Sequence, residues 1–261
     1  MKRMENKVAV ITGGASGIGK ASAIRLAREG AKISILDMNQ ERGITATNEI
    51  AELGGEAIFF QVDITDEEQV ANAMEETFNK WGEITTLLAN AGIVGTLSPI
   101  EDFSTKDWAN TINNNVVGTF ETVKQAIPYM KNNGGTITVI SSVSGNRRFA
   151  QKGFSAYSTS KAAIAAFAKM AAIELAPYKI RVNAICPGTI DTNIFESIEE
   201  SNHPDEIQFP FGIPEEAIPL KSDAGKPEEV ANLFLFLASD EASHLTGTEI
   251  YVDGAETLIK G

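Results

Sequence analysis

Seven short runs rich in β-branched and other apolar residues recur along the 261-residue chain, at 8–11, 32–36, 57–62, 85–89, 136–140, 180–185 and 249–252. Runs of this length, set apart by helix-sized segments, read as buried strands joined by crossovers. The segments 20–29, 40–53, 67–81 and 106–130 have the length and pattern of such helices. A strand returns parallel to its neighbour only through a crossover, and right-handed crossovers put helices on both faces of the sheet. The pattern predicts a doubly wound α/β fold: one domain, residues 1–261, around a seven-stranded parallel sheet. No internal repeat or low-complexity tract interrupts it.

The rhythm lapses between Pro187 and Lys226. There Pro204, Pro210, Pro214 and Pro219 punctuate an acidic stretch with Glu196, Glu199, Glu200, Asp205, Glu206, Glu215 and Glu216. A solvated surface loop is one reading. A substrate lid at about 189–225 is the preferred one, because the stretch follows a strand's carboxyl end, where open α/β sheets bind their ligands.

Charge and composition narrow the partners. Acidic residues outnumber basic ones 35 to 22, and the net charge of −13 opposes phosphate backbones and anionic membrane surfaces. No nucleic-acid or membrane partner is expected. Even the alanine-rich 162–175 is broken by Lys169 and Glu174, so nothing approaches the roughly 18 apolar residues of a membrane span. Lys2 and Arg3 precede an apolar run too short for a secretory leader. The single cysteine, Cys186, cannot form an internal disulfide; it reads as a small buried hydrophobe in a reducing cytoplasm.

The chemistry-bearing residues gather at strand ends. After the first strand comes Thr12-Gly13-Gly14-Ala15-Ser16-Gly17-Ile18-Gly19, opening onto a helix. Glycines there let the backbone approach a pyrophosphate, whose charge meets the free amides of the helix N-terminus. The second strand ends at Asp37, followed by Met38; the carboxylate suits an adenosine ribose, with a helix N-cap as the structural alternative. Asp63 with Ile64, and Asn90-Ala91-Gly92, stand at two further strand ends. Tyr157 and Lys161, four apart on a helix, share a face, and a nearby cation lowers a phenol's pKa by favouring the phenolate. They follow a strand ending in Ser141-Ser142, so together they form a plausible acid/base apparatus.

In this order the motifs resemble those of the short-chain dehydrogenase/reductase family along essentially the whole chain: the 12–19 loop, Asn90-Ala91-Gly92, Asn115 in Asn-Val-Val-Gly, Ser142, Tyr157 with Lys161, and Pro187-Gly188. The resemblance implies a Rossmann-type domain that binds NAD and moves hydride between nicotinamide and a secondary alcohol or ketone. Tyr157 would exchange the proton, Ser142 would hold the substrate oxygen, Lys161 would bind the nicotinamide ribose and tune Tyr157, and Asn115 would help hold a relay water. Pro187, Gly188, Ile190 and Thr192 resemble the segment that holds the carboxamide. The resemblance also implies a homotetramer built through the helices carrying Asn115 and Tyr157.

Some positions depart from the family pattern. Ala89 replaces the first Asn of Asn-Asn-Ala-Gly, and Ala255 replaces the last Gly of Val-Asp-Gly-Gly. Ser144 lies nearer the family's serine-to-tyrosine spacing and is the alternative to Ser142. The Tyr-to-Lys interval argues against enoyl reduction and for carbon–oxygen chemistry. A non-catalytic NAD(H)-binding sensor or assembly subunit is the rival from another class. His203 and His244 show no ligand pattern, and no metal is assigned. Trp81 and Trp108 read as core residues. Arg147 and Arg148, on the expected site rim, read either as solvated charges or as an attraction for an anionic substrate group.

Overall fold

A computed structural model describes residues 2–149, 152–199, 218–221 and 223–259. All seven expected strands form, each boundary within about two residues of its expected place: β1 Val8–Thr12, β2 Lys32–Asp37, β3 Glu56–Gln61, β4 Thr86–Ala89, β5 Gly135–Ile140, β6 Ile180–Pro187 and β7 Glu249–Val252. They make one sheet in the order β3-β2-β1-β4-β5-β6-β7, with every neighbouring pair parallel. The order reverses between β1 and β4. At such a switch point the loops leave in opposite directions and open a crevice at the strands' carboxyl ends.

The strands are mainly apolar because alternate side chains enter two different cores. Val10 points into a layer with Val70 and Met74 of helix α3 (Glu67–Trp81), Val123 of α5 (Gly118–Met130) and Ile164 of α6 (Ser155–Leu175). Its neighbours Ala9 and Ile11 join Leu26 of α1 (Gly17–Arg28), Ile50 of α2 (Gln40–Glu52) and Phe234 of α7 (Pro227–Ala238) on the opposite face. Local chemistry fixes the helix starts. Asn39 accepts from the Arg42 amide at 2.9 Å to cap α2, and Asp66 accepts from Glu68 and Gln69 amides to cap α3. Among the described residues no helix is long and apolar enough to cross a membrane.

Three expectations change. The predicted single helix 106–130 is two: α4, Thr105–Ile112, passes through a π turn, Asn113–Val117, before α5 begins. Neither tryptophan is a core residue. Trp108 is exposed, and half-buried Trp81 donates its indole N–H to Glu56 at 2.7 Å, so its polar edge sets its place. The stretch after Pro187 is not without structure where it is described. Asn193–Ser197 is a 3-10 turn, and Ile198–Glu199 pairs with Gly95–Thr96. Thr189 and Asp191 exchange backbone hydrogen bonds with Gly225, which closes the base of the expected lid. Residues 200–217 of that lid, including His203, lie outside the described residues. His244 is exposed.

Candidate active site

A cleft of about 680 Å³ opens at the carboxyl edge of the sheet, over the β1/β4 switch point. Gly13, Ser16, Gly17 and Ile18 line it from the loop after β1. Gly17 has φ +50°, and a Cβ built there would stand 3.3 Å from Thr192 on the facing wall. Gly19 does not line the cleft. A Cβ there would lie 2.0 Å from the Gly13 carbonyl, so this glycine lets helix and loop pack together. The first turn of α1 carries no acidic residue and opens with Ser16 making no side-chain cap bond, so its amides and positive dipole end face the cleft. These features fit a dinucleotide's pyrophosphate.

Asp37 lines the same cleft with Met38 beside it. One carboxylate oxygen accepts from the Ala15 amide at 3.0 Å and the other from the Asn39 amide at 2.9 Å. The cap of α2 is Asn39, so Asp37 is not the helix cap considered for it. Ile64 lines the cleft but Asp63 does not; its carboxylate turns to Thr65, at 2.7 Å from the hydroxyl. Asn90, Ala91 and Gly92 line the cleft, and Asn90 props the glycine loop by donating to the Thr12 and Gly13 carbonyls. Pro187, Gly188, Ile190 and Thr192 form the far wall.

Tyr157 and Lys161 enter this cleft from α6, with the Lys161 Nζ 5.6 Å from the phenol ring centroid. Ser142, two residues past β5, lines the cleft with Tyr157 and accepts from the Ser144 amide at 3.1 Å. Ser144 lines the cleft as well. Burial pushes the Tyr157 phenol up to about 12 against the opposing Ser142 bond, and burial pushes Lys161 down to about 8. This reverses the direction expected from the lysine alone. At the phenol, desolvation is the larger effect and sets the direction.

Asn115 sits in the π turn, fully buried and outside the cleft lining. Its amide accepts from Ile93 N at 2.8 Å and donates to Ile93 O and the Ser160 hydroxyl. It thereby clamps the loop after β4 to α6 one residue from Lys161. Arg147 and Arg148 are not free cations. Arg147 lies 3.4 Å above the Tyr251 ring centroid, and Arg148, in the cleft wall, is paired with Glu256. Cys186 is buried, with its thiol pushed up to about 11 by burial.

Several contributors escaped the sequence analysis. Ser141 ties β5 to the Lys161 carbonyl at 2.7 Å, Lys161 Nζ donates to Ile140 O at 3.0 Å, and Phe154, Val94 and Ile194 build an apolar wall around Tyr157. Arg42 pairs with Glu196 at 3.0 Å across the cleft. Ser141 was visible as half of a serine pair and Arg42 as the cation one turn along the helix after Asp37; Phe154, Val94 and Ile194 carried no motif.

A glycine-lined nucleotide cleft with a tyrosine–lysine–serine group at its edge defines an oxidoreductase of the doubly wound class. The chain belongs to the short-chain dehydrogenase/reductase family. A family model described as enoyl-(acyl carrier protein) reductase matches residues 13–255. The chain is 38% identical over 253 residues to the 3-oxoacyl-[acyl-carrier-protein] reductase FabG of Thermotoga maritima, covering 97% of this chain and 98% of that one. It is 37% identical to the cyclopentanol dehydrogenase of a Comamonas strain, covering 98% and 99%. The crystal structure of a 3-ketoacyl-ACP reductase from Sinorhizobium meliloti superposes with a TM-score of 0.90 at 39% identity, over 97% of this chain and 99% of that one.

Proposed function

We propose that the protein is an NAD-dependent oxidoreductase of secondary alcohols and ketones. The observation that carries this reading is the meeting of Ser142, Tyr157 and Lys161 in the same cleft as the glycine loop and Asp37. NAD, when bound, supplies the hydride carrier. Ser142 and Tyr157 hold the substrate oxygen from two sides, and Tyr157 moves the proton at its hydroxyl. With its phenol near 12 it is protonated at neutral pH, the form that gives a proton to a ketone. Lys161 holds the ribose, and Asn115 keeps α6 and the loop after β4 in register and helps hold the relay water. Gly13, Ser16, Gly17 and Ile18 receive the pyrophosphate, and Pro187, Gly188, Ile190 and Thr192 receive the carboxamide.

The apolar wall of Val94, Phe154 and Ile194 favours an uncharged, apolar substrate body, and the pairing of Arg148 with Glu256 argues against an anionic one. The four-residue interval from Tyr157 to Lys161 favours carbon–oxygen chemistry over the enoyl reduction in the family description. Residues 189–225 serve as substrate lid, and α5 and α6 as the contacts of a homotetramer in a reducing cytoplasm. The test is absorbance at 340 nm with NAD⁺ and a panel of cyclic and acyclic secondary alcohols, with acyl thioesters and NADH as the opposing arm. Turnover of the free alcohols is expected. In Tyr157→Phe it should fall at least ~100-fold, with NADH binding within about twofold, as expected for loss of an acid/base group. NADH binding without turnover of any substrate would favour the non-catalytic rival.

A further inference from the structure

The chain's last described helix, α8 (Glu256–Ile259), is a single turn, yet its first residue is a carboxylate only 1% exposed. The Glu256 carboxylate accepts from the Thr189 amide and from the Thr189 hydroxyl, each at 2.9 Å, and pairs with the Arg148 guanidinium. The Thr189 carbonyl accepts from Gly225 N at 2.9 Å, so every polar group of Thr189 is held inside the protein. A Cβ on Gly188 would stand 2.7 Å from the same carboxylate, which packs directly under the backbone there. Asp253 holds the turn in place, accepting from the Thr257 amide at 3.3 Å and its hydroxyl at 2.5 Å.

One carboxylate thus joins the turn after β6, the loop after β5 and the C-terminal turn. Gly188, Thr189 and Arg148 all line the cleft. A buried ion pair adds little net stability over an apolar substitute, because desolvation offsets the attraction. What it adds here is position. We propose that Glu256 is a positioning residue for the nicotinamide end of the cofactor, fixing the 187–190 backbone against which that ring lies. The proposal rests on the nicotinamide reading of the cleft given above.

Binding separates this role from a merely structural one. ADP-ribose shares the adenosine end of NADH and lacks nicotinamide, so its Kd by calorimetry serves as an internal reference for the Kd of NADH by fluorescence. In Glu256→Gln an amide N–H₂ faces the donors of Thr189 or Arg148. NADH binding is expected to weaken ~10-fold while ADP-ribose binding changes less than ~2-fold, as for loss of a supporting hydrogen bond behind a binding surface. Glu256→Asp keeps the charge but loses reach, and the same selective loss is expected. Arg148→Met added to Glu256→Gln should recover thermal stability, since it removes the unpaired cation, without restoring the NADH to ADP-ribose ratio. Equal weakening of both ligands, or no change in either, overturns the proposal. Wild-type protein that binds ADP-ribose but gains nothing from nicotinamide would instead remove the cofactor reading beneath it.

Discussion

At the scale of single residues, burial decides more of the site's chemistry than pairing does. Lys161 is the clearest case: the ammonium donates to one backbone carbonyl in a desolvated position, and its pKa falls from 10.5 to about 8. Below pH 8 both folded and unfolded chains carry the proton, and the folded state bears the full cost of burying the charge. Above pH 8 the folded chain releases its proton first, so stability rises with pH until the unfolded lysine titrates. Between pH 8 and 9.5 wild type should gain about 2 kcal/mol relative to Lys161→Met, in which nothing titrates at this position. Urea unfolding at the two pH values measures it, and parallel pH dependence in the two proteins would refute the shift. Residue identities at the site were legible because helix spacing alone brings Tyr157 and Lys161 together. Side-chain direction was not. Asp63 and Asn115 stand where the motif puts them but turn to Thr65 and Ile93.

At the scale of elements, the contacts between segments far apart in sequence were the least legible. The ion pair of Arg42 on α2 with Glu196 in the 193–197 turn spans the two walls of the cleft on the Asp37 side. Both side chains are about half exposed, so the pair adds little to the stability of the fold. Its expected effect is on cofactor choice. On the proposed NAD reading, a 2′-phosphate would meet the Asp37 carboxylate, and a residual repulsion of about 2–3 kcal/mol would give NAD⁺ roughly a 30- to 150-fold advantage. Arg42 is the nearby cation on α2 able to relieve that repulsion, and Glu196 engages it. Glu196→Gln should therefore raise kcat/KM for NADP⁺ about 3- to 10-fold, the size expected for one exposed charge released toward a phosphate, with NAD⁺ unchanged. The measurement is the ratio of the two kcat/KM values in wild type and variant. An unmoved ratio would mean that Arg42 does not reach the 2′ position.

At the scale of the whole molecule, the parallel sheet was legible because a strand covered on both faces must be apolar on both, a demand that leaves its mark in every run from 8–11 to 249–252. Nothing in the runs tells which helix covers which face, and nothing near Glu256 marks it as buried, since a four-residue turn leaves no periodicity. The outer surface carries a further demand. Phe120 on α5 and Met170 and Ile173 on α6 are exposed, Ile173 by 70%, on helices whose contact is made by the Phe120–Phe167 ring pair at 6.0 Å. Exposed apolar side chains on adjoining helices favour burial against another copy, while a net charge of −13 on each copy opposes it. Salt screens the repulsion and leaves the apolar contact intact, so the proposed tetramer should tighten as salt rises from about 20 mM, where the screening length exceeds ~20 Å, to 500 mM. Phe120→Asp combined with Ile173→Asp should sediment as a monomer at both salt concentrations, with NADH affinity unchanged because neither residue lines the cleft. Sedimentation velocity decides between the outcomes: a double variant that stays tetrameric places the interface elsewhere, and a wild type that weakens with salt means that charge pairs, not apolar burial, hold the copies together.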